Sequence, residues 1–106
     1  MNGLPPQFFL ALSFTLFAIG AYIAATKRNL IRIIMGLEVM VAACNVAILA
    51  LGRGIIAGVT DPLAQTIVVV SIAVGAGGAA LGLALAVVVF RRFKTLDVGK
   101  LSELRG

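Results

Sequence analysis

A chain of 106 residues with 61% hydrophobic and only 12% charged side chains, at a mean hydropathy of +1.14, has too few polar groups to cover a water-facing surface. Its solvent is lipid, and the formal net charge of +5 indicates membrane anchoring and no nucleic acid, because the basic residues flank the apolar runs. With no histidine and one cysteine, the chain alone holds neither a His-based metal site, a Ser–His pair nor an intrachain disulfide, and no metal is expected.

Three segments meet the requirement of about twenty predominantly apolar residues for a helical crossing. The first spans 8–26 and ends against Lys27-Arg28. Residues 1–7 carry no basic side chain and the basic pair follows the apolar run, so this segment reads as a span and not as a cleaved signal peptide. The second spans 33–52 and is interrupted by Glu38 and Asn45. Cys44, inside it, reads as a small hydrophobe. The third spans 63–90, contains no ionisable group, and is long enough that it must tilt, kink or protrude. A tail over 91–106 follows, too short for a domain, with leucines suited to docking on a neighbour. The expected fold is all-α: one membrane domain over 1–106 with three transmembrane helices.

Charge placement orients the helices. Lys27, Arg28 and Arg32 lie in the first connection, and Arg91, Arg92, Lys94, Lys100 and Arg105 in the tail, whereas the second connection has Arg53 nearly balanced by Asp61. The positive-inside rule places the first connection and the C-terminus in the cytoplasm and the N-terminus outside, in the cytoplasmic (inner) membrane. Gly52 and Gly54 suit a left-handed close of the second helix. Asp61-Pro62 suits an N-cap and first helical residue of the third. The intervening "RGIIAGVT" is glycine-rich yet apolar and is expected to lie against a partner or the interface.

Glu38 is the residue most able to carry chemistry. It lies six residues beyond Arg32, about 9 Å into the helix at 1.5 Å per residue, too deep for a short side chain to snorkel comfortably. It therefore faces a protein interior or a wet cavity, where burial disfavours the charged form of a carboxyl and a nearby cation restores it. Changing that balance moves a proton, and acids within membrane helices mark ion paths by default. The plainer alternative is a permanent ion pair that only fixes assembly. Asn45, two turns further on the same face, either continues a water chain or bonds to another helix, the commoner outcome.

Small residues crowd the third span in "SIAVGAGGAALGLAL", with Gly78 and Gly82 forming a G-x-x-x-G pair and Ser71, Gly75 and Ala79 a second ridge. Close helix packing is the expected use, and a kink the alternative. The basic "TKRNLIR" is sufficiently explained as an anchor, and it also offers Lys27, Arg28 or Arg32 to a partner subunit.

Arg28-Asn29-Leu30, followed by Gly36-Leu37-Glu38-Val39-Met40 with Asn45 beyond, resembles the second-helix signature of the NuoK family, the smallest three-helix membrane subunits of respiratory complex I and its relatives. "ALGLALAVVVFRR" and the closing "LSELRG" are similar to the same family, so the likeness covers nearly the whole chain. The resemblance implies a proton-translocating membrane-arm subunit of a complex I-like NADH (or deazaflavin or ferredoxin):quinone oxidoreductase, a respiratory translocase. Its partners would be quinone-side and antiporter-like membrane subunits. Quinone and iron–sulfur clusters would reside in those and other partners, with no redox site and no cofactor on this chain. Glu38 is then the proton-relay carboxylate, and Lys27, Arg28 and Asn29 match the polar stretch after helix one. One departure stands out. Many relatives carry a second glutamate in helix three, and its place here is Gly78, so the resemblance implies a group borrowed from a neighbouring subunit, water, or another route. "DPLAQTIVV" is also similar to the small subunit of multi-subunit cation/proton antiporters, the alternative reading. A free-standing multidrug transporter fits poorly with three spans and no Trp, and in a purely structural helix bundle Glu38→Gln would leave transport untouched.

Overall fold

The computed structural model describes residues 4–56 and 59–103. Helix α1 covers Pro6–Thr26, α2 Leu30–Gly52, and α3 Pro62–Phe93, with a short hairpin of β1 (Arg53–Ile56) and β2 (Val59–Thr60) between α2 and α3. A last helix, α4, covers Val98–Glu103. All three long helices have the length and composition to cross a membrane. Residues 1–3, 57–58 and 104–106, which include part of the expected second connection and tail, lie outside the described residues.

Local chemistry sets most of these boundaries. Pro6 opens α1, a position where the missing N–H removes nothing. Asn29 caps α2: its side-chain oxygen accepts from the N–H of Ile31 at 2.9 Å and of Arg32 at 3.4 Å. The helix therefore starts at Leu30, earlier than the expected 33, because an Asn at this position satisfies N–H groups that would otherwise go unpaired. Asn29→Ala is expected to destabilise the chain by about 1 kcal/mol. A thermal melt of the detergent-solubilised protein checks it, and an unchanged midpoint would remove the cap from this account. At α3 the expected arrangement holds, with Asp61 Oδ1 accepting from the Leu63 N–H at 3.1 Å and Pro62 at the first turn.

The close of α2 differs from expectation. No left-handed residue ends it; Arg53 is extended, with φ −76 and ψ 139, and leads directly into β1. β1 pairs antiparallel with β2, Arg53 opposite Thr60 and Ile56 opposite Val59, and the Asp61 N–H donates to the Gly52 carbonyl at 3.1 Å. Strand pairing satisfies the backbone there, so no glycine turn is needed. Arg53 also donates to the Leu4 carbonyl at 3.1 Å and lies 5.6 Å from the Phe9 ring centroid, tying this end to the start of α1.

Helix α3 runs unbroken across the glycine-rich stretch to Phe93. The glycines weighed as a kink do not break the helix, and 32 residues reach about 48 Å against a hydrocarbon core of about 30 Å, a surplus that tilting or protrusion must take up. Lys94 ends it in the left-handed region, φ 60 and ψ 23, its N–H donating to the Phe90 carbonyl at 2.7 Å.

Helix α2 is the middle layer, with α1 on one side and α3 on the other. Against α1 the approach is backbone to backbone. A Cβ added at Gly20 would meet the Gly36 carbonyl oxygen at 2.7 Å, and one at Gly36 would meet the Ala24 nitrogen at 2.7 Å. Further along, Ser13 Oγ donates to the Ala43 carbonyl at 2.7 Å, inside the same interface. The closest helix packing thus lies between α1 and α2 and not, as the small residues of the third span suggest, at α3. Helix α3 touches α2 along one stripe that includes Ala64, Val68, Gly75, Gly82 and Ala86. Its other faces leave Val69, Val74 and Leu81 exposed, as lipid or neighbouring helices require.

Candidate functional site

Opposite faces of α2 carry different contacts. Gly36 and Ala43 meet α1, whereas Glu38, two residues and about 200° around the helix from Gly36, falls on the α3 side. A Cβ added at Gly75 would stand 3.7 Å from Glu38 Oε1 and 3.9 Å from Val41 Cγ1. The carboxyl thus rests over a glycine of α3, in the groove between α2 and α3.

That groove does not enclose it. Glu38 is half-buried, which corrects the expectation of a buried acid as far as this chain alone is concerned. The reason is geometric: α1 occupies the opposite face of α2, and α3 offers only a bare backbone at Gly75. One side of the carboxyl stays open to whatever adjoins the chain. Asn45 is 9% exposed and lies two turns along from Glu38, about 10 Å at 1.5 Å per residue. Contact between the two polar groups at that separation needs intervening water. Cys44 is exposed on α2.

The glycines of α3 divide between faces. A Cβ at Gly82 would come within 3.3 Å of Ile34 Cδ1 of α2, whereas Gly77 and Gly78 have nothing within 4 Å. Gly78 therefore faces away from α2, and the G-x-x-x-G pair does not act as a unit within this chain. The glutamate-free face of α3 at Gly78 is open to another subunit.

At the far end, the two basic clusters meet. The Leu30 N–H donates to the Leu96 carbonyl and the Val98 N–H to the Arg28 carbonyl, each at 2.9 Å, so the chain after α3 pairs antiparallel with the α1–α2 connection. The tail expected to dock on a neighbour thus docks first on its own chain, because Leu30 begins a helix and its N–H needs an acceptor. Between these segments lies a cleft of about 530 Å³ lined by Lys27, Arg28, Asn29, Arg32 and Lys94, with Phe90 and Asp97. Lys27, Arg28, Asn29 and Arg32 were singled out from sequence; Lys94, Asp97 and Phe90 were not, since only the tail's return brings them there. A signal for Gly20 did exist: it is the one glycine of α1.

Comparison with known proteins gives concordant results. Residues 8–106 match the family model of NADH-ubiquinone/plastoquinone oxidoreductase chain 4L. The chain is similar to NADH-quinone oxidoreductase subunit K of Ectopseudomonas mendocina, 38% identical over 106 residues and covering 100% of both chains. It is 37% identical over 102 residues to the protein of that name from Deinococcus radiodurans, covering 96% of this chain and 95% of the relative. Among solved structures, a chain of the membrane-bound sulfane sulfur reductase, an archaeal respiratory membrane complex, superposes with a TM-score of 0.76 at 25% identity, covering 86% of this chain and 94% of that one.

Proposed function

The chain belongs to the NADH-ubiquinone/plastoquinone oxidoreductase chain 4L family, the subunit K family of NADH-quinone oxidoreductases, and from that membership we propose that it is a proton-translocating membrane-arm subunit of a complex I-like quinone oxidoreductase. In this reading the chain sits in the cytoplasmic membrane with its basic end inside. It holds no redox centre; quinone and iron–sulfur clusters belong to partner subunits. The observation that carries the reading is the placement of Glu38, the one acid within the three membrane helices, over Gly75 with one side of its carboxyl open.

A neighbouring helix laid on that open side would complete the enclosure and bring the second proton-exchanging group that Gly78 does not supply. Glu38 would take up a proton when its surroundings favour the neutral form, and release it when a cation or water approaches. Gly75 leaves room at the carboxyl for the side chain to change rotamer or admit water. Asn45, two turns along the same face, supports the path through intervening water. Lys27, Arg28, Asn29 and Arg32 hold the inner end of the two helices.

The antiporter reading differs in its company. Purification from native membranes through a tag on this chain is expected to bring down iron–sulfur subunits together with quinone reductase activity. Recovery of antiporter subunits without iron–sulfur protein would overturn the proposal in favour of that alternative. The likeness to a sulfane sulfur reductase chain makes the electron acceptor a second thing that the same preparation reads, by assaying quinone against polysulfide.

A further inference from the structure

We propose that the basic end of the chain is a binding site for one anionic phospholipid, its phosphate in the cleft and an acyl chain in the groove that continues from it. Three observations converge. Four cationic side chains, Lys27, Arg28, Arg32 and Lys94, line the 530 Å³ cleft, drawn from three different segments of the chain. Asp97, the carboxylate that shares the cleft, is engaged: its Oδ1 accepts from the N–H groups of Gly99 at 2.8 Å and Lys100 at 3.2 Å. Its single negative charge is outnumbered by the four cations, so the cleft keeps a net positive charge for an outside anion.

The third observation selects a lipid over other anions. A second cavity, of about 300 Å³, shares Lys27 and Arg32 with the cleft and is otherwise lined by Ile23, Met35 and Val39. These residues lie within α1 and α2, one to two turns deeper into the membrane-crossing segments than the basic groups. A polar anionic head above an apolar channel, with two cations at the junction, has the form of a phospholipid. A free phosphate would leave the apolar channel unfilled, and an acidic peptide would have no reason to follow it into the bilayer. Basic groups at the headgroup level attract anionic lipid electrostatically, and the buried methylenes add apolar contact. Phe90, half exposed at the rim, supplies an aromatic surface at the interface where such rings are enriched.

The test uses the native assembly, purified in detergent and reconstituted in phosphatidylcholine vesicles that contain a photoactivatable phosphatidylglycerol labelled in its acyl chain. After irradiation and digestion, label is expected on peptides carrying Ile23, Met35 or Val39, and it should exceed that from an equally labelled phosphatidylcholine. The double variant Lys27→Gln, Arg32→Gln should lower labelling on the order of tenfold, since each basic group near the surface contributes to anionic lipid attraction. Equal labelling by the two lipids overturns the proposal, as does labelling of the variant at the wild-type level. Carbodiimide cross-links from Lys27 or Lys94 to a carboxylate of another subunit, with the lipid label absent, would give the cleft to an acidic protein segment and also overturn it. Should the variant fail to assemble, the comparison of the two lipids on the wild-type assembly decides alone.

Discussion

Glu38→Gln is expected to leave the complex assembled and to lower proton translocation coupled to electron transfer by on the order of tenfold or more, as loss of a positioned proton-transfer group does. The amide is nearly isosteric and remains polar, so it keeps the place over Gly75 and the contact with whatever covers the open side. What it cannot do is take up and release a proton. The measurement is proton uptake into vesicles during quinone reduction, with assembly followed on native gels. Glu38→Asp should retain part of the activity, because a carboxyl persists although shortened by one methylene. Full pumping by an assembled Gln variant would reduce Glu38 to a structural polar group. Loss of assembly in Gln but not in Asp would instead identify a fixed ion pair, since only the charged side chain could then hold the partner.

Gly36→Leu is the second change with a large expected consequence: the chain should fail to assemble. Even the first carbon of a side chain there collides with backbone, 2.7 Å from the Ala24 nitrogen and 2.9 Å from the Gly20 carbonyl oxygen. Backbone atoms of a helix cannot swing aside as a flexible side chain can, so α1 and α2 must separate along their length. Overpacking within a tight interface ordinarily destabilises by about 1–3 kcal/mol, and contact with backbone belongs at the upper end. Separation would also remove the 2.7 Å hydrogen bond from Ser13 to the Ala43 carbonyl. The amount of chain in the purified complex reads the effect. Gly78→Leu is the control, since nothing lies within 4 Å of a Cβ at Gly78 and the chain's own helices tolerate the addition. Normal assembly of Gly36→Leu would show that the close approach of α1 to α2 is dispensable.

Much of this molecule was legible from residue order. Apolar runs of bilayer length, bounded by basic pairs, define three helices because lipid leaves backbone polar groups no partner except one another. Asp61-Pro62 marks the start of α3 because both residues act within one turn. Glu38 stands out because a carboxyl is so costly in its surroundings that chance does not explain it. The resemblance of the Gly36–Met40 stretch to the NuoK family was legible for the same reason: it depends on local identity and spacing.

What sequence did not determine was which faces meet. Gly78 and Gly82 have equal standing in a pattern of small residues, yet only Gly82 touches α2, because the choice of face depends on how α3 is rotated against its neighbour. Gly20 and Gly36 lie in different helices, and a pairing between them is fixed only when those helices cross. The cleft likewise joins residues 27–32 to residues 90–97 through two backbone hydrogen bonds that no periodicity announces. Sequence patterning records what each residue needs from its solvent; the fold alone decides which residue supplies it.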